Sequence, residues 1–369
     1  MMDINCKPCG GRLLPRPAAI MLALCFCAGC GVVMDTETSV SRLGTVTGDC
    51  VVPVPAGLEA LGAPVSLEFA EGSLWIFGET RLTQPNTTGS NTIPNSAALV
   101  RSVNDACTGH LEVLPDANGA PAPFIALTPE EEAENAARTD GKRISVTPRG
   151  GLVWQGKGYL YYDVLLLGPG VFDMEWLGTG LCVTPAAGSA CARQGALLWS
   201  GAQSSWGSSG FVDNDGYVYL IRCFHAAAFE DLCGVTRVMP ENMADPEAYR
   251  FYNGFNGWVE DPRNFTVAFD GPGAVTLGYN AFLGQYTAIS ANIWDSSIEM
   301  RVAPSPSGPW ENSHRLFPAV KPDSWFISGG TEHPALRSAD GRILAITYHT
   351  TSTTGPSGLH LVSFQLRDD

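Results

Sequence analysis

The chain has 369 residues, of which 45% are hydrophobic and 16% charged, and its formal net charge is −15 at pH 7. This apolar share is enough for a core, and 41 glycines and 26 prolines punctuate the chain densely. A disordered polyampholyte, a coiled coil and a collagen-like fibre are therefore excluded. The acidic balance, without clustered Lys and Arg, argues against a nucleic-acid partner. One large all-β domain is the leading expectation, because no low-complexity linker divides the chain.

The first thirty residues resemble an export signal. Basic residues precede an apolar stretch from Ala18 to Cys27, which has the length of a signal-peptide core and is too short to span a bilayer. Small residues before Cys30 resemble a bacterial lipobox, in which the cysteine is acylated and becomes the mature N-terminus. We expect residues 1–29 to be a lipoprotein signal peptide and residues 30–56 a lipidated tether with a possible closing strand. The alternative is an ordinary secretory signal that releases a soluble protein.

Six cysteines remain in the expected mature chain, and an even number predicts disulfides in an exported protein. Six cysteines allow about 15 pairings, which the sequence does not resolve. Short separations nevertheless favour two local loops, and the third pair follows by elimination. The pairs are Cys182–Cys191, Cys223–Cys233 and Cys50–Cys107. No Cys-x-x-Cys pair remains and no His pairing fits, so neither a zinc site nor a cofactor is expected.

A hairpin pattern recurs five times along the chain. Each copy has a β-rich segment, a turn that contains glycine, and a segment of aromatic or β-branched residues. The turn glycines are Gly72, Gly156, Gly216, Gly284 and Gly341. Their spacing leaves room for outer strands after each hairpin, and it predicts an all-β, five-bladed β-propeller over residues 57–369. A β-sandwich is the alternative, but it requires more evenly spaced short strands.

Two segments complete this prediction. In the fifth copy, the inner strand is predicted at Pro334–Leu336, so that Glu332 and His333 lie at its start. The longest interval between copies contains an acidic, Pro-rich insertion at residues 115–141, which is predicted to be a solvated loop or a short helix.

Polar residues are concentrated where the predicted inner strands start and where the next strands end. Antiparallel order places these points on one propeller face around the central axis, where the loops meet. Carboxylates catalyse glycosyl transfer and aromatic faces stack on sugars, so the pattern predicts a sugar site. The candidate catalytic residues are Glu79, Asp163 and Glu332. The candidate substrate-binding residues are Arg81, Asn95, Trp206, His225, Asn292, His333 and His349.

Several motifs, taken in order, resemble the bacterial family called domain of unknown function 4185. The run Leu74-Trp75-Ile76-Phe77-Gly78-Glu79-Thr80 resembles its first blade, and Glu332-His333-Pro334-Ala335-Leu336 resembles a later motif. The resemblance implies a five-bladed propeller related to furanosidase-type glycoside hydrolases, and some members of the family are endo-D-arabinofuranases. The chain departs from the family pattern at two positions, where Ala60 and Glu79 stand in place of Asp.

The leading hypothesis is a lipid-anchored glycoside hydrolase-like propeller that acts on a furanoside-containing polysaccharide by carboxylate acid/base catalysis. A monomer is expected, with a glycan as its partner and contact with the membrane only through Cys30. The expected location is the cell envelope, at the outer membrane or cell surface. The alternative, favoured by Ala60, is a catalytically inactive propeller that binds a glycan or a protein; a structural lipoprotein without a ligand is the third hypothesis.

Overall fold

The structure is a computed structural model that describes residues 43–86, 89–116, 118–170, 173–201, 206–227, 230–271, 274–320, 324–352 and 358–367. These residues all belong to one compact unit. Two short α-helices lie among them, α1 (Val103–Thr108) and α2 (Pro129–Ala137). No helix in the described ranges is both long enough and apolar enough to cross a bilayer.

Strands account for most of the regular structure in these ranges. The first half of the chain contains β1 (Gly44–Val51), β2 (Leu58–Ala60), β3 (Pro64–Phe69), β4 (Gly72–Phe77), β5 (Thr80–Leu82), β6 (Thr92–Ile93), β7 (Ser96–Val100), β8 (Glu112–Val113), β9 (Arg143–Trp154), β10 (Lys157–Leu167) and β11 (Met174–Thr184). The second half contains β12 (Ala192–Arg193), β13 (Trp199–Ser200), β14 (Ser209–Val212), β15 (Val218–Ala227), β16 (Glu230–Val238), β17 (Arg250–Asn253), β18 (Gly257–Val259), β19 (Phe269–Asp270), β20 (Val275–Asn280), β21 (Gln285–Asn292), β22 (Ser297–Ala303), β23 (His314–Pro318), β24 (Ser324–Glu332), β25 (Ile343–Ser352) and β26 (Gly358–Leu366).

These strands form five larger antiparallel sheets and one small sheet, β2-β5-β6, within the described part of the chain. In chain order, sheet 1 is β3-β4-β7-β8, sheet 2 is β9-β10-β11-β12, sheet 3 is β14-β15-β16-β17-β18, sheet 4 is β20-β21-β22-β23, and sheet 5 is β24-β25-β26-β1. In addition, β13 pairs with β11 of sheet 2, and β19 pairs with β16 of sheet 3. Sheet 5 therefore takes its outer strand from the beginning of the chain. The register of that strand runs from Gly44 opposite Leu366 to Val51 opposite His360.

The first strands of neighbouring sheets contact each other. β3 contacts β9, β9 contacts β14, β14 contacts β20, β20 contacts β24, and β24 contacts β3. Glycine permits this close approach in β9, because a Cβ at Gly150 would lie 2.4 Å from the carbonyl oxygen of Ser208. Apolar side chains fill the space between adjacent sheets, as where Leu67 of sheet 1 and Leu160 of sheet 2 belong to one buried cluster.

The three predicted disulfides are confirmed. Cys50 of β1 is bonded to Cys107 of α1, so the closing strand of sheet 5 is linked to a helix that follows sheet 1. The other two bonds are local. They join Cys182 to Cys191 and, across β15 and β16, Cys223 to Cys233.

Four of the five predicted hairpins form as expected, and the fifth is shifted. The inner strand of sheet 5 is β24, whereas Pro334–Leu336 is a short 3-10 turn. Proline lacks the N–H that a strand ladder needs and suits the first position of a helical turn. Within β24, Gly329 and Gly330 have φ values of 87° and 85°, so a pair that is typical of a turn instead lies inside the strand. Glu332 consequently lies at the end of an inner strand, and the prediction that it lies at a start was wrong.

The acidic insertion contains α2, in agreement with the predicted short helix. Thr128 caps this helix, because its hydroxyl accepts a hydrogen bond from the Glu131 N–H while the Glu131 carboxylate accepts one from the Thr128 N–H. No residue of α2 is buried.

Candidate functional site

A cavity of about 390 Å³ lies among the first strands of the five larger sheets. Residues from β3, β9, β14, β20 and β24 all contribute to its wall. Segments that are far apart in the sequence therefore place their side chains around one space. Its ionisable and aromatic wall residues are Glu68, Arg149, Phe211, Tyr279, Glu332 and Arg337.

Glu68 of β3 contributes one carboxyl group to this cavity. Its Oε1 accepts hydrogen bonds from the hydroxyls of Ser66 (2.6 Å) and Ser73 (3.3 Å), and its Oε2 accepts one from the N–H of Ala335 (2.9 Å). Burial raises the pKa of Glu68, these hydrogen bonds oppose the increase, and the negative charge of Glu332 adds to it. The environment of Glu68 thus favours a protonated carboxyl more than water does.

Glu332 contributes the second carboxyl group and is held by an arginine. Arg337 donates from Nε to Oε1 (2.6 Å) and from Nη2 to Oε2 (2.9 Å), which is a bidentate ion pair. Glu332 is only 1% exposed, and its backbone N–H donates to the Thr276 hydroxyl of the neighbouring sheet. Arg337 also donates from Nη1 to the carbonyl oxygen of Tyr279 (2.9 Å). The Glu332 carboxylate is thereby fixed and its charge is balanced.

Asp163 lies behind the cavity and anchors an arginine of the wall. Its side chain is buried; Oδ1 accepts from the Thr179 hydroxyl (2.5 Å) and Oδ2 from the Trp176 indole (3.0 Å). Arg149 places its Nε 3.2 Å from the same Oδ2 and donates from Nη2 to the Ser208 hydroxyl (2.8 Å). Asp163 therefore orients Arg149 toward the cavity rather than facing it directly.

The sequence matches a known family model over most of its length. Residues 60–353 match the model described as "Domain of unknown function (DUF4185)". The chain belongs to this family. The comparison with curated proteins gives no match.

Solved structures of related shape extend the comparison of this DUF4185 protein. A putative hydrolase from Bacteroides ovatus has a TM-score of 0.58 at 14% identity, covering 84% of this chain and 87% of its own. A GH43_1 enzyme from Xanthomonas citri has a TM-score of 0.53 at 14% identity, covering 85% and 91%. A GH43 β-xylosidase/α-arabinofuranosidase from a compost microbial metagenome, in complex with xylotriose, has a TM-score of 0.50 at 13% identity, covering 85% and 95%. The DUF4185 chain thus has a glycoside hydrolase-like β-propeller fold.

Two of the predicted site residues of the DUF4185 chain lie outside the cavity, in exposed ion pairs. Glu79 is paired with Arg143, and Arg81 lies 3.7 Å from Glu59. Ala60 is the register partner of Arg81, which follows Glu79 by two residues. Ala60 and Glu79 are the two positions at which the resemblance implies a departure from the family pattern. One of these positions has no carboxylate, and the carboxylate at the other is balanced by an arginine.

Two other predicted residues are fully buried. Asn95 donates from Nδ2 to the carbonyl oxygens of Ile125 (3.0 Å) and Val146 (3.1 Å), and its Oδ1 accepts from the Ile125 N–H (2.7 Å). Trp206 packs in the core against Phe251, with ring centroids 4.9 Å apart. Both side chains brace the fold, and neither faces the cavity.

His333 is fully buried next to Glu332 and does not line the cavity. Its ring stacks on Trp75 with centroids 4.4 Å apart, and its Nε2 lies 2.8 Å from the Thr347 hydroxyl. Burial lowers the pKa of His333 to about 3, so the imidazole is neutral at physiological pH. His333 therefore packs between sheets 1 and 5.

The remaining predicted residues, Asn292, His349 and His225, lie in three different strands. Asn292 ends β21 and donates to Glu299 (2.8 Å). His349 lies in β25, where burial and then the neighbouring His360 lower its pKa. His225 lies in β15, and its side chain falls outside the described part of the structure, as does Cys30.

Of the predicted catalytic residues, the structure brings only Glu332 to the cavity wall, and it adds Glu68 and Arg337. A local pattern indicates Glu68, because Ser66 and Glu68 alternate with the fully buried Leu67 and so share the opposite face of β3. Arg337 follows the 3-10 turn, and no local pattern connects it with Glu332. In the described ranges, no group of three or more His, Cys, Asp or Glu side chains could hold a metal ion.

Proposed function

We propose that the five larger sheets are the blades of a five-bladed propeller. The pairwise contacts between their first strands support this architecture, since β24 of the last sheet contacts β3 of the first. Pairing of β1 with β26 supports it further, because one sheet then contains strands from both ends of the described chain. The cavity would accordingly lie on the propeller axis.

We also propose that the protein hydrolyses a furanoside-containing polysaccharide in this cavity. The observation that carries the proposal is the presence of two carboxyl groups, Glu68 and Glu332, on one cavity wall, with the pKa of Glu68 raised. Most glycoside hydrolases use two such groups, of which one is protonated and acts as the general acid. The furanoside substrate class rests on the family resemblance, and one structural relative is a β-xylosidase/α-arabinofuranosidase.

The hydrogen bonds of the site support different roles for the two carboxyl groups. Glu68, whose environment favours the protonated form, would donate a proton to the leaving oxygen of the glycosidic bond. Glu332, held in place by Arg337, would be the partner that activates water or attacks the sugar. Arg149 would donate hydrogen bonds to substrate hydroxyls at the wall.

The decisive test is reducing-sugar release from a panel of arabinans, fructans and envelope glycans. We expect Glu68→Gln and Glu332→Gln to lower release by about 10²–10⁴-fold, the usual contribution of a general acid or base. Glu79→Gln is the matched control, because Glu79 is an exposed glutamate outside the cavity. Activity that survives both cavity substitutions but not Glu79→Gln would place the chemistry near Glu79, outside the cavity.

A catalytically inactive glycan-binding propeller is the second candidate. Ala60, the Glu79–Arg143 ion pair and the Glu332–Arg337 ion pair favour it, because each removes or balances a carboxylate. If the protein binds at least one glycan of the panel but releases reducing sugar from none of them, this candidate is supported over the hydrolase.

We further propose that the protein is a monomeric, lipid-anchored component of the cell envelope. The lipobox-like sequence that ends at Cys30 supports this location. Metabolic labelling with a palmitate analogue tests it, and we expect Cys30→Ser to abolish both the label and recovery in the membrane fraction. Equal labelling of the variant would exclude acylation at Cys30.

A further inference from the structure

Six aromatic rings form a continuous row from the cavity to the outer part of sheet 3. Successive ring centroids are 5.2, 5.8, 5.9, 5.8 and 5.4 Å apart. Two members of the row also line the cavity, and the last two lie on the outer strands β17 and β18. In order, the members of this aromatic row are Tyr279, Tyr286, Phe211, Tyr219, Trp258 and Tyr252.

Most of the aromatic row remains accessible to solvent. Tyr279 is 44% exposed, and only Tyr219 is buried. The other four rings are half-buried. Five of the six rings thus keep some accessible surface beside the cavity, and aromatic surface at the edge of a cavity is typical of a ligand site.

Two aspartates fix the orientation of the rings and add hydrogen-bond acceptors beside them. The hydroxyl of Tyr286 donates to both carboxylate oxygens of Asp213 (2.8 and 2.9 Å), and the hydroxyl of Tyr219 donates to Asp215 (2.7 Å). Burial, and then the hydrogen bond to Asp215, raise the pKa of Tyr219 to about 12, so this phenol remains a donor. Each carboxylate has about four acceptor sites and keeps some for a ligand.

An arginine holds the outer end of the row. The Arg237 guanidinium lies 4.3 Å from the ring centroid of Trp258 and 4.2 Å from that of Tyr217. Stacked in this way, the cation restricts the Trp258 ring. The outer end of the row is therefore ordered before any ligand binds.

We propose that the aromatic row binds an uncharged polysaccharide chain where the chain leaves the cavity, an inference that rests on the proposed function of that cavity. Aromatic faces stack on the C–H surfaces of sugars, and Asp213 and Asp215 accept hydrogen bonds from sugar hydroxyls. The same carboxylates, on a chain of net charge −15, repel anionic polymers and disfavour nucleic acid. The row thus acts as a set of subsites for a polymer rather than for a single sugar.

The sizes of the cavity and of the row support a long ligand. A cavity of about 390 Å³ is near the lower end of the range for small-molecule sites, so it accommodates only a short stretch of glycan. A longer chain has to continue outside the cavity, and the row provides a surface that is continuous with the wall through Phe211 and Tyr279.

Binding measurements on full-length protein test this inference. The probes are soluble arabinan, levan and arabinogalactan in affinity gel electrophoresis, with a trisaccharide of the same linkage as a competitor that fits within the cavity. We expect Trp258→Ala and Tyr252→Ala each to weaken polymer binding roughly three- to tenfold and to leave trisaccharide binding unchanged. Trp294→Ala is the matched control, because Trp294 is 62% exposed and follows the end of β21 opposite to Tyr286.

The outcomes separate this inference from the proposed function. If the wild-type protein binds a polymer through Trp258 and Tyr252 but releases no sugar, the row is supported and the hydrolase proposal fails. If both variants fold, as judged by thermal unfolding, and bind the polymer as tightly as wild type does, the row is excluded while hydrolysis can still hold. Failure of all three polymers to bind the wild-type protein would also overturn the inference.

Discussion

Glu68 and His333 lie close to the contact between sheets 1 and 5, and burial moves their pKa values in opposite directions. It raises the pKa of the Glu68 carboxyl and lowers that of the His333 imidazole, because in each case the neutral form is less costly to bury. The hydrogen bond from Ala335 to Glu68 and the stack of His333 on Trp75 both cross this contact. The stability of the contact therefore depends on pH at two separate residues.

Glu68→Gln should remove one part of this pH dependence. Between its ordinary value of 4.5 and its raised value in the folded state, Glu68 holds a proton that the unfolded chain has released. Its contribution to the free energy of unfolding therefore falls as the pH rises through this range. We expect the melting temperature of the wild type relative to the variant to be highest at and below pH 4.5 and to decline above it. A difference that stays constant from pH 4.5 to 8 would refute this assignment.

His333→Phe should show the reverse dependence. Phenylalanine keeps the stack on Trp75 but loses the hydrogen bond with Thr347, which costs about 1 kcal/mol at neutral pH. As the pH falls from 6.5 toward 3, the unfolded wild-type chain binds a proton at this histidine that the folded protein does not. The free energy of unfolding of the wild type should therefore fall by several kcal/mol over this range, whereas that of the variant should not. Urea unfolding at several pH values measures the free energy of unfolding of both proteins. The same pH dependence in the wild type and the variant would contradict this prediction.

The sequence indicates the orientation of a side chain where this depends on neighbouring residues of the same strand. It does not indicate hydrogen bonds to residues that are distant in the chain. Alternation along one strand is enough to place Ser66 and Glu68 on one face. Asn95, in contrast, bonds to Ile125 and Val146, 30 and 51 residues further along the chain. No pattern around Asn95 distinguishes that buried brace from a sugar-binding amide.

At the level of secondary-structure elements, the hairpins were predictable wherever the turn chemistry was local. Gly156, Gly216 and Gly284 all have positive φ, as their turns require. β24 was not predicted, and its Gly329-Gly330 pair is a sequence that is typical of a turn. Inside this strand, a Cβ at Gly330 would lie 2.2 Å from the Ala291 nitrogen. The contact with the neighbouring sheet, which the sequence does not display, is the reason for glycine there.

The disulfides should contribute unequally to stability. Cys50–Cys107 closes a separation of 57 residues and Cys182–Cys191 one of 9. In the chain-entropy account these loops correspond to about 4 and about 2.5 kcal/mol, respectively. We expect Cys50→Ser with Cys107→Ser to lower the free energy of unfolding more than Cys182→Ser with Cys191→Ser. Urea denaturation of the two double variants gives the comparison, and the opposite order would show that strain or local packing outweighs loop entropy.

For the whole molecule, sheet 5 is the place where both ends of the described chain meet. β1 pairs with β26 along almost its full length, and the side chains of Leu361 and Phe364 in β26 are buried. The fold is therefore held by contacts between residues more than 300 positions apart. Such long-range pairing explains why the sequence can predict that a closing strand exists without specifying its register.

Removing β1 should destabilise the protein beyond the loss of its disulfide. We would compare a chain that begins at Val52 and carries Cys107→Ser with one that begins at Leu43 and carries both Cys50→Ser and Cys107→Ser. Both lack the disulfide, so the difference reports the strand itself. Without β1, the backbone edge of β26 is unpaired. We expect the free energy of unfolding to fall by several kcal/mol and the shorter chain to self-associate through this free edge. Urea unfolding and sedimentation velocity measure the two effects. Equal unfolding midpoints in the two chains would show that the first and last sheets hold together without the closing strand.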